Sequence, residues 1–356
     1  MKDAPFLNLV LALVFLVLMG WLLVIGKPIL LPIVTAIISV YVMTSASEAL
    51  GRLPVLRHFP SVWLRLLVLA AFVVIVLVFA YVVAATVRDI AGVAPVYQAN
   101  LSRLLQNVAV MFDIEEQQLW NEIRSLTIDK ISFQAILLAT LGGFTSVGGM
   151  VFLVVIYAGF LLAERNTFPQ KISAAFRNRE SAEKAHRIVT DINRKISDYL
   201  AIKTLINMVL GAISYVVLWV FGVDFAPFWA ITIALLNYIP YVGSYAGVAF
   251  PVILSLAQFA SIPVTLGLAA MLTAAQMYVG NVLEPRRIGR ELNLSPFVVL
   301  VALSVWGALW GIPGAILSVP LTSIVALILS SFEQTRFLAI FLAERPETMT
   351  ADRAEA

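Results

Sequence analysis

Runs of uncharged residues too long for a soluble core set the first limit on this chain. Phe6 to Ile25 is 20 residues without a charge, the length a helix needs to cross the hydrocarbon core of a bilayer. Comparable runs occupy Ile29 to Ser47, Leu66 to Val87, Ala135 to Ala163, Ala201 to Gly222 and Ile262 to Val282. Leu66 to Val87 is rich in Val, Ile and Phe, which in water favours strand, but at this length it reads as a lipid-facing helix. Composition agrees, with 61% apolar and 13% charged residues against about 45–50% and about 25% in soluble domains. The predicted fold class is therefore an all-α polytopic membrane protein with about six full spans. The first run has no small-x-small cleavage site before the next one and reads as a retained anchor, not a signal peptide.

Charge falls between the runs, and its placement predicts sidedness. Residues 88–134 hold four Lys/Arg and six Asp/Glu, with Val93, Tyr97, Leu101, Leu104 and Val108 at helical spacing and a capping-box pattern at Asp113 and Glu116. Residues 164–203 hold nine Lys/Arg and five Asp/Glu, with Ala185, Ile188, Ile192, Ile196 and Tyr199 on one face, the pattern of a basic interfacial helix. With the N-terminus inside, Arg52 and the nine-Lys/Arg segment fall inside and the acidic insert outside, as the positive-inside rule requires. The chain divides accordingly into three N-terminal spans (1–87), an extracytoplasmic amphipathic insert (88–134), a fourth span with a cytoplasmic basic helix (135–200), a second apolar region (201–332) and a cytoplasmic tail (333–356). Gly142, Gly143, Gly148, Gly149 and Gly159 give the fourth span small-residue faces suited to close helix packing.

Two further apolar stretches are broken. Phe225 to Ala260 is interrupted by Asn237-Tyr-Ile-Pro-Tyr-Val-Gly-Ser244, and Phe297 to Phe332 by Trp310-Gly-Ile-Pro-Gly314. Each break has Ile-Pro, a glycine close behind (Gly243, Gly314) and a later proline (Pro251, Pro320). If Phe225 to Ala260 crossed the membrane once, Arg286, Arg287 and Arg290 would lie outside; a re-entrant hairpin returns them inside. Two such hairpins, each following a complete span and running in opposite directions, would form an inverted repeat, whose broken segments point to a midplane substrate site. Two proline-kinked ordinary helices are the competing reading.

Chemistry is sparse. Cysteine is absent, and the only histidines, His58 and His186, lie in charged loops. Neither a zinc-binding HExxH nor a phosphate-binding GxxxxGK[ST] pattern occurs. No enzyme activity, metal or cofactor is expected, and a net charge of +3 gives no case for nucleic acid. What remains are polar groups at membrane depth, which point to a substrate or ion pathway. The candidates are Asn237, Tyr238, Pro240, Gly243 and Ser244 at the first break, Gln276, Asn281 and Glu284 at the end of the following span, and Gly311, Pro313, Gly314 and Ser318 at the second. Asn237 and Ser244 either meet solute or cap the break. Asn281 and Glu284, three apart, would share a helical face. Glu284 either binds a proton or cation or pairs with Arg286, Arg287 or Arg290. Asp224 is an ion-coupling candidate or a helix cap, and Lys203 is expected to snorkel to the interface.

Asn237 to Ser244, Gly280-Asn-Val-Leu-Glu-Pro-Arg-Arg-Ile-Gly-Arg290, Leu294-Ser-Pro296, Trp310 to Gly314 and Ser318-Val-Pro320 together resemble the signature of the autoinducer-2 exporter (AI-2E) family of PerM-like permeases. The resemblance is specific over roughly residues 195–332; the N-terminal half agrees in layout only. It implies a multi-pass transporter of the bacterial inner membrane that moves a small polar molecule, plausibly as a homo-oligomer. Members have been linked both to autoinducer-2 export and to sodium/proton antiport, so the resemblance leaves the substrate open. A non-transporting membrane scaffold is the third alternative.

Overall fold

A computed structural model describes residues 5–51, 60–112, 133–164, 167–176, 178–288 and 292–345, which are almost wholly helical. In chain order the elements are α1 (Pro5–Ile25), α2 (Lys27–Gly51), α3 (Ser61–Phe112), α4 (Phe133–Glu164), α5 (Phe168–Ala175), α6 (Arg179–Val220), α7 (Ala226–Leu236), α8 (Val242–Phe259) and α9 (Ile262–Tyr278). A π-helical segment (Val279–Leu283) then leads into α10 (Glu284–Ile288), followed by α11 (Pro296–Trp310), α12 (Ile312–Ser330) and α13 (Arg336–Leu342).

Among the described residues six helices are long and apolar enough to cross a membrane, four of them on expected runs and two on the outgoing arms of the broken stretches. The six are Lys27–Glu48, Val62–Ile90, Arg179–Val220, Val242–Phe259, Ile262–Arg287 and Ile312–Ser330. The outgoing arms of both broken stretches, α8 and α12, thus reach spanning length, and α1 runs for 21 residues, Pro5–Ile25, over the first uncharged run. In the fourth run, Gly149–Glu164 is followed after a 71° bend by Phe168–Ala175. Among the described residues, none comes within 4 Å of a side chain placed at Gly149 or Gly159.

Two boundaries expected from charge are absent. α3 continues for 52 residues without a break at Arg88, so residues 88–112 are a helical arm prolonging a span by about 38 Å at 1.5 Å per residue. α6 is likewise one helix of 42 residues, in which the basic segment from Arg179 runs straight into the apolar one. Charged residues are good helix formers, and leaving the membrane does not end a helix. The capping-box residues Asp113 and Glu116 lie outside the described residues.

The chain forms two compact units. One comprises Met1–Arg65, Met150–Ala201 and Arg290–Ala356; the other comprises Leu66–Gly149 and Ile202–Gly289. The two broken stretches therefore belong to different units. In the second unit, Ile206, Leu210 and Leu218 of α6 pack with Ala230 and Ile233 of α7 and with Leu268, Leu272 and Val279. In the first, Ala36 and Val40 of α2 meet Val154 and Ala158 of α4, and α11 packs on α12.

Both broken stretches fold back on themselves. α8 buries Gly243, Gly247, Pro251 and Ser255, a stripe at every fourth residue that lets it approach α7 closely. Gly247 lies against Ile233, and a side chain at Gly243 would collide with the Leu236 carbonyl. In the other pair, a side chain at Gly314 would collide with the Trp306 carbonyl, and Trp306 Nε1 donates to Thr322 Oγ1 at 3.1 Å. Both turns need glycine for the same reason: the outgoing helix starts against the backbone of the incoming one.

Candidate functional site

The α7–α8 turn is unusually tight. Val242 N donates to the Pro240 carbonyl at 2.6 Å, closing a three-residue turn centred on Tyr241, whose φ of 60° and ψ of −64° fall in the rare, strained γ-turn region. Tyr241 is exposed at the tip. The turn holds Asn237, the last residue of the incoming arm, close to Ser244 in the first turn of α8.

Those two residues meet a third from α9. Gln276 Nε2 donates to Asn237 Oδ1 at 2.7 Å and to Ser244 Oγ at 2.8 Å, while Ser244 Oγ donates more weakly to Asn237 Oδ1 at 3.3 Å. Asn237, only 4% exposed, donates its own Nδ2 to Asn207 Oδ1 of α6 at 2.8 Å. Among the described residues the Asn207 Nδ2 is buried without a hydrogen-bond partner, a donor left over where such groups are costly. Beside it, Tyr238 and Thr204 share a hydroxyl–hydroxyl bond of 2.7 Å.

One turn earlier on α6, Lys203 is 6% exposed and its Nζ donates to Glu284 Oε1 at 2.6 Å. This corrects two expectations. Lys203 does not snorkel to water, and the partner of Glu284 is a lysine 81 positions away in sequence rather than Arg286 or Arg287, which are exposed on α10. Arg290 lies outside the described residues. The pair is closely engaged because a bare buried charge costs far more than one held at hydrogen-bond distance.

The π segment explains how one helix delivers Gln276 to the α7–α8 tip and Glu284 to Lys203 of α6. The two are eight positions apart, which in a regular α-helix would turn them about 80° away from each other. A π turn takes one more residue than an α turn, so the eight positions act like seven, close to two full turns. The same extra residue separates Asn281 from Glu284: Asn281 is exposed on the π segment, and the shared face expected for them is lost.

The second turn is furnished differently. Gly311 has φ of 70° and ψ of −146°, Pro313 starts α12, and Pro320 is buried within it. Ser318 is fully buried and donates to the Ala315 carbonyl of its own helix at 2.8 Å. Trp310, 2% exposed, donates its indole N–H to the Leu23 carbonyl of α1 at 3.0 Å.

Asp224 sits at the opposite end of α7 from Asn237. Its carboxylate accepts from the Tyr97 hydroxyl at 2.7 Å, and its backbone N–H donates to Gln258 Oε1 at 2.9 Å. Burial, and next to it the Asp224 carboxylate, push the Tyr97 phenol well above its usual pKa. Lys203 and Asn207, and likewise Tyr97 and Gln258, have no site role in the sequence reading, where Lys203 only snorkels and Tyr97 only packs. The first two carry a usable signal, since Lys203, Asn207 and Ser214 recur at helical spacing in an otherwise apolar span and all three are buried.

Comparison with known proteins follows the same outline. A family model described as the AI-2E family transporter matches residues 11–334. A Borreliella burgdorferi protein, whose name gives it only provisionally as a transport protein, is 34% identical over 256 residues, covering 70% of this chain and 67% of the relative. The AI-2 transport protein TqsA of Escherichia coli is 31% identical over 68% of each chain. PerM, also of Escherichia coli, is 24% identical over 85% of this chain and 87% of its own.

Proposed function

The chain belongs to the AI-2E transporter family, and on that premise we propose that it carries a small polar metabolite across the bacterial inner membrane, handled at the α7–α8 tip by Asn237, Ser244 and Gln276. The observation that carries this is the meeting of those three side chains, from both sides of a strained turn and from a third helix, with the Asn207 amide to spare. Polar groups at membrane depth are costly and concentrate where substrates pass. Autoinducer-2 is the first solute to test, since TqsA is named for its transport. The reading requires labelled autoinducer-2 to cross proteoliposomes containing the wild type and the flux to fall at least about tenfold in Gln276→Ala, the loss of about one hydrogen bond to substrate. Equal flux in both would overturn the site.

In this account both folded-back pairs are re-entrant hairpins within a transport core at 201–332, related as an inverted repeat. Their common construction supports this: each follows one long helix, and each turns on a glycine pressed against the incoming arm. Both termini are then cytoplasmic and the arm of α3 extracytoplasmic. Single cysteines replacing Asp224 and Arg287 in this cysteine-free chain should be labelled from outside and inside respectively; labelling of both from one side would contradict the topology.

The Lys203–Glu284 pair supports a second reading, cation/proton antiport, in which a cation displaces the ammonium from the carboxylate. Sodium-driven proton flux without solute, abolished in Glu284→Gln, would favour it.

A further inference from the structure

The α7–α8 hairpin is joined to its surroundings through two residues in left-handed backbone conformation, neither of them glycine. Phe225, immediately before α7, has φ of 59° and ψ of 32°, and Ala260, immediately after α8, has φ of 48° and ψ of 34°. Left-handed geometry at a residue with a Cβ costs about 1 kcal/mol or more and persists only where surrounding contacts hold it. Between these joints the hairpin coheres: Gly243 and Gly247 bring the arms into contact, and Trp229 of one arm stacks on Phe250 of the other at 6.3 Å.

What holds the joints is the arm of α3. Tyr97 and Asn100 are three apart and so share a helix face. Tyr97 Oη donates to the carboxylate of Asp224, the residue next to Phe225. Asn100 Nδ2 donates at 2.6 Å to the carbonyl of Gln258, two residues before Ala260. Gln258 closes the circuit, its Nε2 donating to the Gly222 carbonyl at 2.8 Å and its Oε1 accepting from the Asp224 N–H. One face of one helix thus grips both shoulders of the hairpin. The tip is held by side-chain hydrogen bonds to Asn207 and Gln276, which can be exchanged for bonds to a solute, and the α7 arm packs on α6 and α9 through Ala230 and Ile233, apolar and non-directional contacts that a pivot must slide.

We infer that the α7–α8 hairpin pivots as a unit about Phe225 and Ala260, and that Tyr97 and Asn100 on the α3 arm are the pin that sets its position. The two residues are positioning residues: they bond to Asp224 and Gln258, beside the joints, and act on the tip through them. The arm is then a handle by which events outside the membrane bias the hairpin. The consequence for transport rests on the tip being the site proposed above; the hinge itself does not.

The first test needs no substrate. In nanodiscs, hydrogen exchange of the Tyr97→Phe/Asn100→Ala variant should accelerate across residues 226–259 by about tenfold, as expected for losing a hydrogen bond to a charged group. Exchange at residues 206–218 and 268–279 should stay at the wild-type rate. No acceleration in 226–259, or equal acceleration in all three segments, would overturn the hinge. The second test locks it: cysteines replacing Asn100 and Gln258, bridged by a short reducible thiol linker, should stop autoinducer-2 flux in proteoliposomes, with recovery on reduction. Full flux in the bridged protein would show that the hairpin need not pivot. Absence of flux before bridging would instead count against the substrate reading, and exchange alone would decide the hinge.

Discussion

The two hairpins are alike in backbone and unlike in furnishing. Both place Ile-Pro at the turn, and both start the outgoing helix with a glycine against a carbonyl of the incoming one. The first then surrounds its tip with amides and hydroxyls from three helices, whereas the second is tied by tryptophan indoles, Trp306 to Thr322 and Trp310 to Leu23. A repeated backbone device can therefore serve two ends. The first tip is held by bonds that a solute could replace, the second by a large buried aromatic that nothing small can substitute.

If the shared construction is real, the largest effect should be the same in both hairpins. Gly243→Ala and Gly314→Ala each drive a methyl into a backbone carbonyl, and each should abolish folded protein in detergent, read as loss of the monodisperse peak on size exclusion. Tolerance at one position but not the other would break the equivalence. Next in size is Lys203→Ala, which strands the Glu284 carboxylate and should cost about 3–5 kcal/mol. Its mark is recovery of most of the thermal stability when Glu284→Gln is added, and no recovery would deny the pairing.

These effects separate what the sequence discloses from what it hides. The breaks at Asn237 to Ser244 and at Gly311 to Gly314 are legible because proline and glycine are forced by backbone geometry, and such demands are local. The Lys203–Glu284 pair is hidden because the spacing of Lys203, Asn207 and Ser214 marks a polar face on α6 but not the partner 81 positions away; taken by itself the lysine reads as a snorkelling side chain. The π turn is equally silent, since one extra residue in a helical turn has no compositional sign, yet it decides that Glu284 faces α6 and Asn281 does not. The length of α3 was concealed by the onset of charge at Arg88, which marks the edge of the membrane but not the end of the helix.

The smaller predictions sharpen the contrast between the tips. Asn237→Ala removes a bond to Asn207, one from Gln276 and a weaker one from Ser244, and should cost about 1–2 kcal/mol of stability, the upper range for interhelical polar contacts in membranes, together with most of the flux. Trp310→Phe keeps the aromatic bulk and loses only the bond to Leu23. It should cost about 0.6 kcal/mol and leave flux unchanged, as measured by thermal unfolding and proteoliposome uptake in parallel. A flux defect in Trp310→Phe larger than that in Asn237→Ala would reverse the assignment of roles.

The claim that the first tip is the binding site is tested most directly by solute-dependent thermal stabilisation of the purified protein, with autoinducer-2 leading a panel of small metabolites. A ligand that binds only the folded state must raise the unfolding temperature. The account predicts that a solute stabilising the wild type also stabilises Trp310→Phe but leaves Gln276→Ala unmoved. Stabilisation of Gln276→Ala equal to that of the wild type would contradict it.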